Sequence, residues 1–218
     1  MKIGISRLHF PVTTLGPGRR VGIWVQGCSI RCPGCISADT WRDADELVDV
    51  REVVSRIRPW LAQSDGVTIS GGEPFDQPQA LAQLLGELRA SSDADLFVYS
   101  GHPYERLADF LDMHPDLVDA LMTDPFELNR PQTKMLRGSD NQRLHLLTPR
   151  GQERFADFER QSRPEDRQLD LMLDDAGVVW LAGIPGRGDM RRLQRVLQDQ
   201  GHFSITSEAP VSACTTPR

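Results

Sequence analysis

Short apolar runs alternate with segments in which apolar residues recur at helical spacing along much of the chain. Continuous runs of β-branched, aromatic and aliphatic residues predict five buried strands, at residues 21–25, 67–70, 96–99, 120–122 and 144–147. The helical repeats predict helices at residues 50–61, 81–88 and 104–111, with Pro59 as a kink in the first and Pro78 in the first turn of the second. Strands and helices that alternate in this way predict an α/β fold with parallel strands and right-handed crossovers.

The two ends of the chain have weaker patterns. Residues 1–20 contain closely spaced glycine and proline and predict an extended, turn-rich segment. Residues 159–168 are charged and contain a proline, which is typical of a linker, so we divide the chain into a core at 1–158 and an extension at 159–218. The extension predicts a hairpin at 169–173 and 178–181, a basic helix at 189–200 and a last strand at 203–206.

The composition is that of an ordinary globular protein, with 39% hydrophobic and 26% charged residues. The formal net charge of -6 argues against nucleic acid as a partner, because an acidic surface does not attract phosphates. No run approaches the roughly 20 apolar residues of a membrane span, and the N-terminus lacks the apolar region of a signal peptide. We therefore expect a cytoplasmic protein that does not enter a membrane.

Three of the four cysteines lie between positions 28 and 35, and the fourth, Cys214, lies near the C-terminus. The segment Gly27-Cys28-Ser29-Ile30-Arg31-Cys32-Pro33-Gly34-Cys35 places three thiols on one loop, directly after the first predicted strand. Thiolates are the ligands of iron–sulfur clusters, and three of them on a four-iron cluster leave one iron open for a further ligand. Two alternatives use the same thiols: a zinc site completed by His9 or Cys214, and a four-cysteine electron-transfer cluster completed by Cys214.

A second loop, Gly71-Gly72-Glu73-Pro74, follows the second predicted strand. Because the carboxyl ends of parallel strands meet at one edge of the sheet, this loop and the cysteine loop are expected at the same rim. Glycines there let a ligand approach the main chain closely. Tyr99 and Ser100 end the third predicted strand and Asp124 follows the fourth, so these side chains are expected at that rim as well. The sequence therefore predicts one site at this edge of the sheet.

The cysteine spacing CxxxCxxC is the signature of the radical S-adenosylmethionine superfamily. More closely, the run LGPGRRVGIWVQGCSIRCPGCISADTW resembles the N-terminal region of the enzymes that activate anaerobic ribonucleotide reductase. SGGEP, the turn Tyr99-Ser100-Gly101 and the segment TDPFELNRPQTKMLRGSDNQR are similar to the same family, so the resemblance spans roughly residues 9–147. Gly34 precedes the third cysteine, as it does in the reductase activases, and Ile36 stands where many of them have tyrosine.

The resemblance implies a partial (β/α) barrel of mostly parallel strands with a small α+β C-terminal extension. It implies that a [4Fe-4S] cluster binds to Cys28, Cys32 and Cys35. S-adenosylmethionine would bind to the open iron and to residues around it, which are Gly34, Ile36, Gly71, Gly72, Glu73, Pro74, Tyr99, Ser100, Asp124 and Asn141. Of these, Glu73 would place a carboxylate near the ammonium group of the cofactor.

By the same resemblance, a one-electron donor of the flavodoxin or ferredoxin type reduces the cluster, and S-adenosylmethionine is cleaved to a 5′-deoxyadenosyl radical. The expected target is a glycyl-radical enzyme such as anaerobic ribonucleotide reductase. Two alternatives stay open: a radical enzyme that modifies a small molecule or peptide, and an iron–sulfur electron-transfer module, against which the Gly-Gly-Glu-Pro loop argues.

The extension lies beyond the resemblance, and we expect it to pack on the core, cover one edge of the barrel and shape access to the radical. Its arginines at 187, 191, 192 and 195 are either the solvated face of a helix or a contact for an acidic partner.

Overall fold

Ten strands and five α-helices make up the described part of the chain, residues 1–173 and 178–204 of a computed structural model. The strands are β1 (Lys2–Ile3), β2 (Ile5–Val12), β3 (Arg20–Val25), β4 (Val48–Asp49), β5 (Gly66–Gly71), β6 (Asp95–Tyr99), β7 (Ala120–Thr123), β8 (Arg143–Leu146), β9 (Leu169–Leu173) and β10 (Val179–Gly183). The α-helices are α1 (Val50–Leu61), α2 (Pro78–Ser91), α3 (Tyr104–Met113), α4 (Pro149–Phe155) and α5 (Asp189–Asp199). Strands and helices alternate from β5 to β7, as the apolar pattern predicts.

Six strands form the central sheet, in the order β2-β3-β5-β6-β7-β8. The three inner pairs, β3 with β5, β5 with β6 and β6 with β7, are parallel, which confirms the predicted α/β fold with a mostly parallel sheet. Both edge strands are antiparallel to their neighbours. β8 returns antiparallel to β7 because the loop between them contains no crossover helix, which a parallel return needs.

β2 is a full edge strand, where the sequence predicts only an extended, turn-rich segment. Six of its eight side chains are half-buried, so its apolar alternation is weak. Arg7 of β2 lies between the indole rings of Trp24 and Trp180, at 5.2 and 5.0 Å from their centroids, and forms an ion pair with Asp39. This cation–π arrangement connects β2, β3 and the C-terminal hairpin.

The largest core cluster contains buried side chains of the sheet and of α1, α2 and α3. Helix α1 buries its apolar residues at the spacing that the sequence predicts: Val50, Val53, Val54, Ile57 and Leu61. Pro59 lies on the exposed face of its last turn, and the helix continues through it to Leu61. Pro78 occupies the first position of α2, as predicted. Among the described helices, none combines the length and apolar character that crossing a membrane requires.

The segment 159–168, which its composition predicts as a linker, lies against the core. It contains the short 3-10 helix Pro164–Asp166, and Arg160 donates two hydrogen bonds to the Asp166 carboxylate at 2.7 and 2.8 Å. The Ser162 amide donates to the Thr133 carbonyl at 2.7 Å, which attaches the segment to the loop before β8. Arg160 and Asp166 therefore pair within the segment, whereas Glu159 pairs with Arg137 of the loop before β8, and composition alone does not reveal such pairs.

The C-terminal hairpin and helix form as the apolar pattern predicts, and the hairpin contacts the core. The Asp170 carboxylate of β9 accepts hydrogen bonds from the amides and hydroxyls of Thr13 and Thr14, at 2.7 to 3.1 Å. The predicted strand at 203–206 extends beyond the described residues, and its first two residues are not in a strand. The hairpin turn and Cys214 also lie outside the described residues.

Candidate functional site at the carboxyl ends of the strands

The loops that follow β3, β5, β6 and β7 line an open cleft. Parallel strands place their carboxyl ends on the same side of a sheet, so this rim is the one that the sequence predicts. All three clustered cysteines line the cleft, and so do eight predicted cofactor residues, which are Gly34, Ile36, Gly71, Gly72, Glu73, Tyr99, Ser100 and Asp124.

Backbone hydrogen bonds hold the cysteine loop in a compact conformation. The Cys28 amide donates to the Trp41 carbonyl at 3.3 Å, and the Cys35 amide donates to the Cys32 carbonyl at 3.1 Å. Gly34 has a φ of 78°, in the left-handed region that favours glycine. The residue before the third cysteine is therefore glycine because the turn requires that backbone conformation.

The three thiols fit a cluster better than a single metal ion. All three are free, and among residues 1–173 and 178–204 no group of three histidine, cysteine or carboxylate side chains is placed to hold one ion. A four-iron cluster binds each thiolate through a different iron, so its ligands need not converge on one point. The Trp41 indole N–H is buried beside the Cys35 sulfur and acts to lower the pKa of that thiol, so a cluster thiolate there would accept its hydrogen bond. The donor set and this buried N–H therefore suit a [4Fe-4S] cluster.

Burial changes the acidity of the cysteine thiols. It raises the pKa of the Cys35 thiol to about 11, and the neighbouring thiols act in the same direction. Burial also raises the pKa of the Cys32 thiol. The protonated thiol is therefore favoured until a cation binds, whereas bound iron stabilises the thiolate. Cluster binding should accordingly release protons.

The Gly-Gly-Glu-Pro loop packs directly on the cysteine loop. The Gly72 amide donates to the Val25 carbonyl at 2.9 Å, and the Glu73 amide donates to the Gly27 carbonyl at 2.8 Å. A Cβ atom at position 72 would overlap the Gly27 carbonyl oxygen and lie 2.7 Å from its carbon, and Gly71 has a φ of 104°. Both glycines are therefore needed for contact between the two loops, whereas the sequence suggests only the close approach of a ligand.

The Glu73 side chain is buried, with the residue 1% exposed, and it connects the second loop of the rim to the third. Its carboxylate accepts hydrogen bonds from the Phe75 amide at 3.0 Å, the Ser100 hydroxyl at 2.8 Å and the Gly101 amide at 2.8 Å. Burial raises the pKa of this carboxyl group to about 7, and the three hydrogen bonds oppose the rise. The protein itself thus orients Glu73, and a contact with the cofactor's ammonium group stays a prediction.

Tyr99 and Asp124 line the cleft with hydrogen-bond partners of their own. The Tyr99 hydroxyl donates to the Leu136 carbonyl at 3.1 Å, and burial raises the pKa of this phenol. Asp124 has a φ of 79° and accepts a hydrogen bond from Arg143 at 2.7 Å. Arg143 also forms an ion pair with Glu105 at 3.0 Å, so a charged network positions Asp124 at the end of β7. A non-glycine residue with such a backbone conformation is often found at a functional site.

Two predicted cofactor residues, Pro74 and Asn141, do not line the cleft, and contact of either with the cofactor stays a prediction. Pro74 is buried at the first position of the 3-10 helix Pro74–Asp76, where its fixed φ is favourable. The Asn141 side-chain amide donates to the Pro125 carbonyl at 2.8 Å. Both residues therefore support loops of the rim from behind.

The C-terminal segment forms part of the cleft, in line with the expectation that the extension shapes access to the site, but the sequence does not indicate which of its residues do so. Residues 181–185, Arg187 and Met190 line the cleft together with residues of the core. The Arg187 guanidinium lies 4.6 Å from the ring centroid of Phe126. Ala182 packs in an apolar cluster that includes Trp24. The apolar run at 178–181 predicts a strand, but nothing local in it indicates which part of the core it contacts.

Comparison with known proteins relates the same region to iron–sulfur proteins. Residues 14–145 match the family of 4Fe-4S single cluster domains. The anaerobic ribonucleoside-triphosphate reductase-activating protein of Enterobacteria phage T4 is 31% identical over 134 residues, which cover 59% of this chain and 85% of that protein. The corresponding protein of Escherichia coli K12 is 27% identical over 148 residues, or 64% and 96% of the two chains. The pyruvate formate-lyase-activating enzyme of Staphylococcus epidermidis is 37% identical over 147 residues, or 62% and 57%.

Proposed function

We propose that this chain, which belongs to the family of 4Fe-4S single cluster domains, installs a glycyl radical on anaerobic ribonucleoside-triphosphate reductase. It is one of the radical S-adenosylmethionine enzymes that activate glycyl-radical proteins. Its cofactors are a [4Fe-4S] cluster and S-adenosylmethionine. The predicted resemblance to the activating enzymes is confirmed. The observation that supports this function best is that three free thiols and the Gly-Gly-Glu-Pro loop line one open cleft.

In the proposed cofactor site, Cys28, Cys32 and Cys35 hold the cluster. The backbone of Gly71 and Gly72 borders the methionyl group, and Glu73 provides a carboxylate for its ammonium group. Tyr99, Ser100 and Asp124 extend this site along the rim, as do Gly34 and Ile36 on the cysteine loop. The open six-stranded sheet would be the strand set of a partial barrel, with β2 and β8 as its two edges.

The residues of this chain orient the cofactors and exclude water from them. When bound, the two cofactors would supply the radical chemistry, in which one electron from an external donor cleaves the sulfonium–carbon bond and a glycine Cα loses a hydrogen atom to the 5′-deoxyadenosine formed. Leu15, Trp24 and Ile184 line the cleft with apolar surface, and a target segment bound in the cleft would complete the exclusion of water from the reacting atoms. A donor of the flavodoxin or ferredoxin type would supply the electron.

The reductase is the proposed target because the T4 and E. coli relatives are named as its activating proteins, and the match covers most of each. The cleft is open to solvent, which suits a target that is a segment of another protein. The balance of the reaction requires one glycyl radical, one methionine and one 5′-deoxyadenosine for each electron delivered.

The test is an anaerobic incubation of the reconstituted protein with the reductase of the same organism, S-adenosylmethionine and dithionite. We expect a glycyl-radical doublet in the electron paramagnetic resonance spectrum, in proportion to the 5′-deoxyadenosine released. If the radical glycine of the reductase carries deuterium at Cα, the deuterium should be recovered in the 5′-deoxyadenosine. Release of 5′-deoxyadenosine without any protein radical would contradict this target and favour a small-molecule or peptide substrate.

A further inference from the structure

The outward face of the β9–β10 hairpin is apolar. Leu173 lies opposite Val179 and Leu171 lies opposite Leu181 in the register of the two strands, so all four side chains project from one face. Leu171 and Leu173 are each 68% exposed, and Val179 is 53% exposed. We call Leu171, Leu173, Val179 and Leu181 the hairpin patch.

The opposite face of the hairpin is the one that contacts the core. Asp170 accepts hydrogen bonds from Thr13 and Thr14, and Met172 and Ala182 pack in the apolar cluster beside β2 and β3. An antiparallel sheet with one face on the core ordinarily presents polar side chains on the other face. Here both faces are apolar, and a contiguous exposed apolar face is typical of an interaction site.

The hairpin patch adjoins the cleft and a basic segment. Leu181 belongs to the patch and also lines the cleft, so the two surfaces are continuous. Arg187 and Met190 line the cleft as well, and residues 187–195 contain four arginines and one aspartate in a chain of net charge -6. Arg191, Arg192 and Arg195 are exposed on α5. An apolar patch next to cationic side chains fits a partner surface that is apolar with acidic residues around it.

We propose that the hairpin patch and residues 187–195 are the docking surface for the protein whose glycine enters the cleft, a proposal that rests on the proposed function. The surface lies at the cleft, so a partner bound there holds its main chain close to the cofactors. A second copy of this chain is a poorer occupant, because a symmetric contact would bring two basic segments together. The family match ends at residue 145, before this segment.

The test uses the full-length, reconstituted protein and the purified reductase of the same organism. The double variant Leu171→Asp/Leu173→Asp adds negative charge to the patch that an acidic partner would face. The matched control is Met113→Asp, which changes a 69% exposed apolar residue on α3. Binding to the reductase is measured by analytical ultracentrifugation, protein radical by paramagnetic resonance, and cofactor cleavage without partner by the release of 5′-deoxyadenosine.

We expect the double variant to keep its iron and its partner-free cofactor cleavage, while its affinity for the reductase falls by at least about tenfold. Met113→Asp should retain the wild-type affinity. Wild-type affinity for the reductase in the double variant would overturn the proposed docking surface. The proposal would also be overturned if the wild-type protein forms a dimer through this patch and the double variant becomes a monomer that still activates the reductase. If the reductase binds through the hairpin patch but no protein radical forms, the docking surface is supported and the proposed function is contradicted. If the wild-type protein shows neither binding nor a protein radical, the docking surface and the proposed function are both overturned.

Discussion

Replacing Gly72 with alanine tests whether the two loops of the rim form one packed unit. The Glu73 amide donates to the Gly27 carbonyl at 2.8 Å, directly beside the position that a Cβ atom at residue 72 would occupy. The substitution adds one methyl group and no charge. It also leaves the cysteine ligands unchanged, so a lost cluster in this variant would result from the loop geometry.

The expected cost follows from the distances. The added Cβ would lie 2.7 Å from the Gly27 carbonyl carbon, whereas carbon atoms prefer about 3.5 Å or more, so the loops must separate by about 1 Å. The hydrogen bond from Glu73 to Gly27 would then lengthen to about 3.8 Å and break. Overpacking costs about 1–3 kcal/mol, and an unpaired buried amide costs about 1–3 kcal/mol more. A total of about 2–6 kcal/mol is a large part of the 5–15 kcal/mol that typically stabilises a domain.

Guanidinium unfolding of the apo-protein under anaerobic conditions measures this cost, and iron per chain after reconstitution measures its effect on the cluster. Gly86→Ala is the matched control, because its Cβ would meet no atom within 4 Å inside α2. That variant should gain about 0.5–1 kcal/mol from helix propensity. A Gly72→Ala protein with full iron and a free energy of unfolding within about 0.5 kcal/mol of wild type would refute the reasoning.

Three further predictions concern the cluster, the buried carboxyl group and the buried ion pair. Cys28→Ala, Cys32→Ala and Cys35→Ala should each lower iron from about four per chain in a colorimetric assay, whereas Cys214→Ala should not. The pKa of Glu73 is raised to about 7, so its stabilising contribution is complete below the unfolded pKa of 4.5 and is lost as the pH rises through 7. Urea titrations give the free energy of unfolding of wild type and of Glu73→Gln at each pH. The advantage of wild type over the variant should therefore decrease as the pH is raised from about 5 to about 8. Arg20→Met removes the buried partner of Asp95 and should cost about 3–5 kcal/mol, whereas Arg51→Met, from an exposed pair, should cost less than about 1 kcal/mol.

Each of these predictions has an outcome that contradicts it. Full iron in Cys32→Ala would exclude that thiol from the cluster. A difference between wild type and Glu73→Gln that does not change with pH would mean that the carboxyl group is not buried as described. Equal costs for the two arginine variants would contradict the difference in burial between their ion pairs.

The inner strands and α1 to α3 could be predicted from the sequence because their signal is local. Residues 67–70 read Val-Thr-Ile-Ser, a short β-branched run without charged residues, which suits a strand with neighbours on both sides and helices packed on it. β2 gave a weaker signal because its side chains are mostly half-buried and Pro11 lies within it. The segment 159–168 was assigned as a linker because the pairing of Arg160 with Asp166 depends on a turn that composition does not reveal.

The candidate site also has features that the local sequence predicts and features that depend on tertiary packing. The cysteine and Gly-Gly-Glu-Pro loops are short sequence motifs. Each follows a strand that is predicted to be parallel to the other, and this was enough to predict both loops at the same rim. The hydrogen bond from Ser100 to Glu73 and the ion pair between Arg143 and Asp124 join residues far apart in the chain. The contribution of residues 181–190 to the cleft also depends on tertiary packing, because no local pattern specifies which surface a hairpin covers.

Arg7 contacts both Trp180 of the hairpin and Asp39, which lies four residues beyond the last cluster cysteine. If the guanidinium lies in different positions in the iron-loaded and iron-free protein, both its contact with Trp180 and its ion pair with Asp39 therefore change. Thermodynamic linkage then requires reciprocity: the factor by which iron loading tightens partner binding equals the factor by which the partner tightens iron binding. The equilibrium affinity for iron, measured by competition with a chelator, thus becomes a second measure of docking that requires no turnover. Arg7→Met should bring that factor towards one.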